Sequence, residues 1–225
     1  MDISTFVAAA AHDMKNSVSV IAAYLEDALA KMAAEPPSAA AQSTAQALYE
    51  TQRVNGNLVQ LMAIFKIEEG MYPFEPAEVE LDEFVDELMI RARPLAALRG
   101  LTLTCDAQPG LQRWIFDRDL IGSVVIQSLF NAVRYAGHTV RLSLRASAGR
   151  LEIEVADDGP GFPAFMLEQG FASRQGIDLR TSSTGLGLYF SRLAAGLHRH
   201  GDATGSTRLG NGGELGGGRF ILELP

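Results

Sequence analysis

Apolar residues in the first part of the chain recur in alternating four- and three-residue steps, at Val7, Ala11, Met14, Val18, Ile21, Leu25, Ala28 and Met32. That spacing keeps one seam of a helix apolar throughout, as in a heptad repeat. Glu35-Pro36-Pro37-Ser38 ends it, because proline lacks a donor and disfavours helix in the residue before it. A second helix follows, with Val54, Leu58, Leu61 and Phe65 on one stripe. Two such helices cannot enclose a core alone. The pattern predicts a helical hairpin over residues 1–69 that pairs with a second copy into a four-helix bundle.

Gly70 to Pro76 breaks the helical pattern, and residues 70–77 read as a linker. From residue 78 to 225 the period changes. Leu101–Ala107 and Arg113–Phe116 read as strands and Asp119–Tyr135 as an amphipathic helix. Val140, Leu142 and Leu144 alternate with Arg141, Ser143 and Arg145, and Leu151, Ile153 and Val155 with Glu152 and Glu154. Ala148-Gly149 between them is a hairpin turn. A helix over Gly187–His200 and a strand over Arg219–Leu224 complete the pattern. The fold class is α+β: a two-helix hairpin, then an α/β sandwich with one sheet face on helices and the other more exposed. The glycines between Gly210 and Gly218 read as a mobile turn rather than a phosphate loop.

Composition narrows the function. The 225 residues suffice for one large domain or two modest ones, and 47% hydrophobic content supplies a core. A formal net charge of -8 opposes nucleic acid, whose phosphates would repel it. The single Cys105 lies in an apolar-alternating stretch, which predicts a buried structural thiol and fits a reducing cytosol. No apolar run approaches the roughly 18 residues of a membrane span. The expected location is the cytoplasm, with membrane contact only through a sensor segment outside this chain.

Four clusters can carry chemistry. In "AAHDMKNSV", the heptad register places His12 off the apolar seam, with Asp13 beside it and Asn16 one turn on. An imidazole largely neutral near pH 7 is a nucleophile, and a carboxylate can fix its tautomer. In "IQSLFNAVRYAG", Gln127, Asn131, Arg134 and Tyr135 fall near one helix face: an amide oxygen can ligate Mg²⁺, Arg134 can reach phosphate and Tyr135 can cover a base. In "VADDGPGF", Asp157 ends a strand and can accept a hydrogen bond from an exocyclic amine, while Gly159 and Gly161 allow close approach. In "STGLGLYFSRLAA", Gly185 and Gly187 open a helix whose first N–H groups suit phosphate. Each cluster alone is also what a solvated helix face, a strand-ending turn or a helix start contains.

Their order resembles the sensor histidine kinases of two-component systems, over nearly the whole chain. The last three motifs alone would indicate the wider ATPase superfamily shared with DNA gyrase and heat-shock protein 90, the GHKL or Bergerat fold; the His-bearing hairpin narrows it. The resemblance implies ATP and Mg²⁺ as cofactors, His12 as phosphoacceptor and Asp13 as its general base or orienting acid. It implies that Asn131 ligates Mg²⁺ with Arg134 assisting, that Gln127 one turn before belongs to the nucleotide site, and that Tyr135 lies against adenine. Asp157 would bind the adenine amino group beside Gly159 and Gly161, with Gly185 and Gly187 at the phosphates. Residues 162–184 would be a lid carrying Arg174 and Arg180. A homodimer and a response-regulator receiver domain are the implied partners, and Asn16 suits removal of phosphate from that regulator. Two positions depart from the family: Gln127 stands where asparagine is usual, and Ser17 where proline is common. The alternative is a phosphotransfer or scaffold protein whose ATP site has decayed.

Overall fold

The computed structural model describes residues 3–32, 39–169 and 185–225; the side chains of residues 3–13, 42, 168 and 169 fall outside the description. The chain divides into two units, residues 1–72 and 73–225. In the first, α1 (Ile3–Met32) and α2 (Ala39–Glu68) pack along each other. This contact covers only part of the apolar seam. Met14 and Ile21 remain 51% and 50% exposed, and Val54 and Leu61 on α2 are exposed too. Among the described residues of this unit only Ala45, Gln60 and Ile64 are buried.

The second unit opens with Pro73 to Pro76, part of the expected linker, and is built around a five-stranded sheet. Its strands are β2 (Thr102–Ala107), β4 (Thr139–Ser147), β5 (Arg150–Asp157), β8 (Ser206–Asn211) and β9 (Gly218–Leu224). They lie in the order β2-β4-β5-β9-β8; β2 runs parallel to β4 and the other neighbours are antiparallel. Period-two alternation sends Val140, Leu142, Leu144, Leu151, Ile153 and Val155 to one face, where all are buried. That face packs on α3 (Leu81–Leu98), α4 (Arg118–Tyr135) and α6 (Leu186–Leu197). On the other face, arginine and glutamate pair across strands: Arg219 Nε on β9 donates to Glu154 on β5 at 2.8 Å, and Arg208 Nη2 on β8 reaches over β9 to Glu152 on β5 at 2.8 Å. The Arg208 pair is largely exposed and contributes little stability, while the Arg219 pair is partly buried; both lie on the face away from the helices. A separate ribbon pairs β1 (Ala77–Glu80) with β3 (Arg113–Phe116); α5 (Ala164–Gln169) and the short β6 (Arg199–His200) and β7 (Ala203–Thr204) complete the unit.

Six elements go beyond the sequence reading: β1, α3, α5, β6, β7 and β8. The i, i+3, i+4 spacing of Leu81, Phe84, Val85, Leu88 and Met89 is a helical signal, and all five are buried. Pro94 lies inside this helix. The polar β8 is stabilised by its pairing with β9 rather than by its own composition. The helix expected to run to His200 stops at Leu197, and Arg199–His200 form β6. The expectation for Cys105 is overturned: it is exposed. β2 is an edge strand, so only one neighbour covers it. Partial desolvation, then the charges of Asp106 and Asp86, push the thiol up, away from the reactive thiolate.

Candidate active site

Asp117 starts α4. Its buried side chain accepts the Leu120 N–H at 3.0 Å, an N-cap that satisfies one orphan donor. The helix buries Leu120, Ile121, Val124, Val125 and Leu129 against the sheet. Helical spacing then leaves Gln127, Asn131, Arg134 and Tyr135 off the core: Asn131 and Tyr135 are exposed, Gln127 and Arg134 half-buried. Arg99 closes the far end of α4, donating through Nη1 to the Val133 carbonyl at 2.6 Å and to that of Arg134. A cation is favourable there because the last carbonyls are unpaired. The Arg134 guanidinium lies 5.3 Å from the Tyr135 ring centroid, a cation–π contact within the site.

Asp157 is the last residue of β5 and is 7% exposed. Its Oδ1 accepts the N–H of Gly159 at 2.8 Å and that of Gly218 at 3.2 Å. Among the described residues no donor reaches Oδ2. A buried carboxylate with one oxygen engaged and one open is a receptor for a single N–H donor. Gly159 is required by contact, since a Cβ there would strike the Tyr135 carbonyl oxygen and stand 2.9 Å from Asp157 Oδ1. The structure thus brings Tyr135, Asp157 and Gly159 together. Gly161 has φ +79° and packs on the Asn211 side chain.

Asp158, next in sequence, faces elsewhere. Its Oδ1 accepts the N–H groups of Gly137 and His138 at 2.9 Å and of Thr139 at 3.1 Å, which fixes the connection from α4 to β4. Desolvation acts to raise its pKa, but the backbone donors of His138, Thr139 and Gly137 outweigh it and hold the carboxyl below its usual range.

At the start of α6, Gly185 takes φ +67°, a left-handed conformation that glycine adopts without strain, and as N-cap it has no side chain to offer the helix. The Gly187 carbonyl accepts the Ser191 hydroxyl at 2.8 Å, so Gly187 lies in the first turn. The first N–H groups of this turn can receive phosphate oxygens. Arg174, Arg180 and most of the expected lid lie outside the described residues, as do the side chains of His12 and Asp13 and the Pro36-Pro37 turn. Asn16 is exposed on α1, one turn beyond His12.

Among the described residues no group of three His, Cys, Asp or Glu side chains could hold a metal ion. The amides of Asn131 and Gln127 suit Mg²⁺ only as partial ligands, with the remaining oxygens supplied by phosphates. Two hollows, of about 160 and 350 Å³, are lined from α3, one toward Asp119 and Ser123, the other toward Cys105 and Leu144. Neither shares a residue with the Asp157 cluster. Residues to which the sequence reading gave no part in the site are Arg99, Asp158, Asn211, Gly217 and Gly218. Only Asp158, inside the motif itself, had a local signal; the others meet the site through tertiary packing.

Residues 116–225 match the family of histidine kinase-, DNA gyrase B- and HSP90-like ATPases. The sensor-like histidine kinase SenX3 of Mycolicibacterium smegmatis is 26% identical over 226 residues, which cover 98% of this chain and 56% of that protein. The sensor protein kinase CarS of Pseudomonas aeruginosa is 31% identical over 68% of this chain and 31% of that protein. The chain therefore spans about half or less of the relatives it matches. Among solved structures, the Acinetobacter baumannii histidine kinase AdeS aligns with a TM-score of 0.60 at 16% identity, covering 95% of this chain and 96% of that one. The catalytic domain of histidine kinase ThkA aligns with a TM-score of 0.57 at 23% identity, over 67% of this chain and 97% of that one. Fold, motif order and relatives converge: this chain has the catalytic core of a sensor histidine kinase, with a GHKL-type ATPase domain as its second unit.

Proposed function

We propose that the chain is an ATP-dependent protein histidine kinase that phosphorylates His12 and passes the phosphoryl group to an aspartate of a response-regulator receiver domain. The observation that carries this reading is the Asp157 carboxylate, buried, fixed through Oδ1 and open at Oδ2. Asp157 accepts the adenine amine, while Tyr135 borders the base. The exposed Asn131, with Gln127 one turn before it, holds Mg²⁺ that arrives with the nucleotide. That ion, when bound, neutralises charge on the transferring phosphoryl group. The first turn of α6, at Gly185 and Gly187, orients the phosphate chain, and positioning lowers most of the barrier. His12 attacks the γ-phosphorus through a ring nitrogen, the bond to ADP breaks, and Asp13 stabilises the imidazolium that forms.

The half-exposed Met14 and Ile21 support dimerisation through the hairpin, since a second copy would cover them. No described helix is long and apolar enough to cross a membrane. We assign the kinase reaction to the cytoplasm, where ATP and receiver domains are found. Asn16, whose amide can hold a water but is no base at neutral pH, serves phosphate removal from the regulator. The test is incubation with γ-labelled ATP and Mg²⁺ beside His12→Ala. Label that is acid-labile in wild type and absent from the variant supports the reading. Labelling that persists in the variant refutes the phosphoacceptor, and absent nucleotide binding favours a phosphotransfer scaffold.

A further inference from the structure

The turn from β8 to β9 is glycine-rich, a composition that by itself suggests a loose connection. Its backbone is instead tied to the strand that ends in Asp157. The Gly217 N–H donates to the Asp157 carbonyl at 3.1 Å, and the Gly217 carbonyl accepts the Gly212 N–H at 2.8 Å. Gly218 donates its N–H to Asp157 Oδ1. Gly217 lies so close that a Cβ there would stand 2.5 Å from the Gly159 nitrogen and 2.7 Å from Asp157 Oδ1. Its φ is not positive, so lack of space, rather than backbone conformation, demands glycine. At the foot of the same turn, Asn211 uses both halves of its amide on one residue. Its Oδ1 accepts the Phe162 N–H at 2.7 Å and its Nδ2 donates to the Phe162 carbonyl at 2.8 Å. The tip is anchored as well, Arg141 Nη1 meeting Glu214 at 2.6 Å.

We propose that this hairpin is the positioning device of the nucleotide-base site, with Gly217 and Asn211 as its positioning residues. The proposal rests on the ATP reading above and extends it to base discrimination. Two N–H donors on Oδ1 stop the Asp157 carboxylate from rotating, and Gly217 backs the turn that supplies one of them. Oδ2 is then aimed as a lone acceptor. It matches a base with an exocyclic amine and repels one with a carbonyl oxygen at the same place, where two acceptors would meet. A Cβ on Gly218 would stand 3.0 Å from Asp157 Oδ2 and 3.2 Å from the Phe162 ring, and Asn211 fixes the Phe162 backbone. One hairpin thus supplies Gly218 beside Oδ2 and holds Phe162 next to it.

The experiment measures ATP and ITP affinity by calorimetry for the full chain, Gly217→Ala, Asn211→Ala and Gly210→Ala. ITP carries a 6-oxo group in place of the amine. Gly210 is the control, because a Cβ there meets nothing within 4 Å. Gly217→Ala should lose ATP affinity about tenfold or more while ITP affinity changes little, so that the preference collapses. Asn211→Ala, at an exposed position, should reduce the preference about threefold with an unchanged melting temperature. Gly210→Ala should retain the wild-type ratio. A folded Gly217→Ala with the wild-type ratio overturns the proposal; if Gly217→Ala does not fold, an unchanged ratio in Asn211→Ala overturns it. A wild type that binds neither nucleotide, or both equally, refutes the ATP reading beneath it.

Discussion

Asp157 and Asp158 are adjacent in sequence and do different work. Asp158 spends its carboxylate on backbone N–H groups of residues 137–139, whereas Asp157 keeps Oδ2 open. Replacing Asp157 by alanine should therefore remove ligand affinity with little effect on the link between α4 and β4. A hydrogen bond to a charged group contributes about 1.5–3 kcal/mol, so ATP should bind about tenfold to a hundredfold more weakly by titration. Gln127 has the amide chemistry of asparagine with one more methylene. If that extra length has no task, Gln127→Asn should leave ATP turnover equal or higher, and a severe loss in a folded variant would show that it does. On α1, Asn16→Ala should leave autophosphorylation near wild type and lengthen the lifetime of regulator phosphate in the presence of ADP. Identical lifetimes would leave Asn16 without a part in that reaction.

Two helix ends and a connecting segment meet at His198. Its Nδ1 lies 2.8 Å from the Ala194 carbonyl and its Nε2 accepts the Asp117 N–H at 3.0 Å, which assigns the proton to Nδ1 of a neutral ring. The Phe74 ring packs edge-on at 4.9 Å, and the Glu75 N–H donates to Asp117 Oδ2 at 3.1 Å. Residues 73–75 are thereby fastened to the capped end of α4. Burial lowers the His198 pKa, while the Ala194 carbonyl and the Asp117 charge oppose it less strongly. The unfolded chain, with an ordinary value near 6.5, takes up the proton first. Stability is then full above that value and falls as pH drops through it toward the lower folded pKa. The urea midpoint should decline between pH 7.5 and 5.5, and His198→Gln should flatten that decline. An equally steep decline in the variant would mean that other groups govern it.

For the whole molecule, the exposed seam of the first unit is the feature on which the proposed dimer rests. The apolar side chains of Met14, Ile21, Val54 and Leu61 remain in contact with water in a single chain. Burying apolar surface is favourable by about 25 cal/mol per Å², so pairing two hairpins lowers the free energy of both. Light scattering at micromolar concentration should give twice the chain mass, and a chain beginning at Pro73 should be monomeric. A monomeric full chain would remove the bundle from the proposed mechanism.

What the sequence determined alone is local and periodic. The heptad spacing from Val7 to Met32, the strand alternation of residues 140–155 and the placing of Asn131, Asp157 and Gly185 at element faces and ends all follow from side-chain geometry within one segment. The tertiary structure decided what depends on partners distant in sequence. Cys105 is exposed because β2 falls at a sheet edge, a fact of strand order rather than of its own pattern. The polar β8 is a strand because β9 supplies its hydrogen bonds. Gly217 and Asn211 matter because the hairpin folds back onto Asp157 and Phe162, and glycine composition alone cannot separate a loose turn from a backbone packed too tightly for any Cβ. Contact across the chain, not propensity along it, sets those positions.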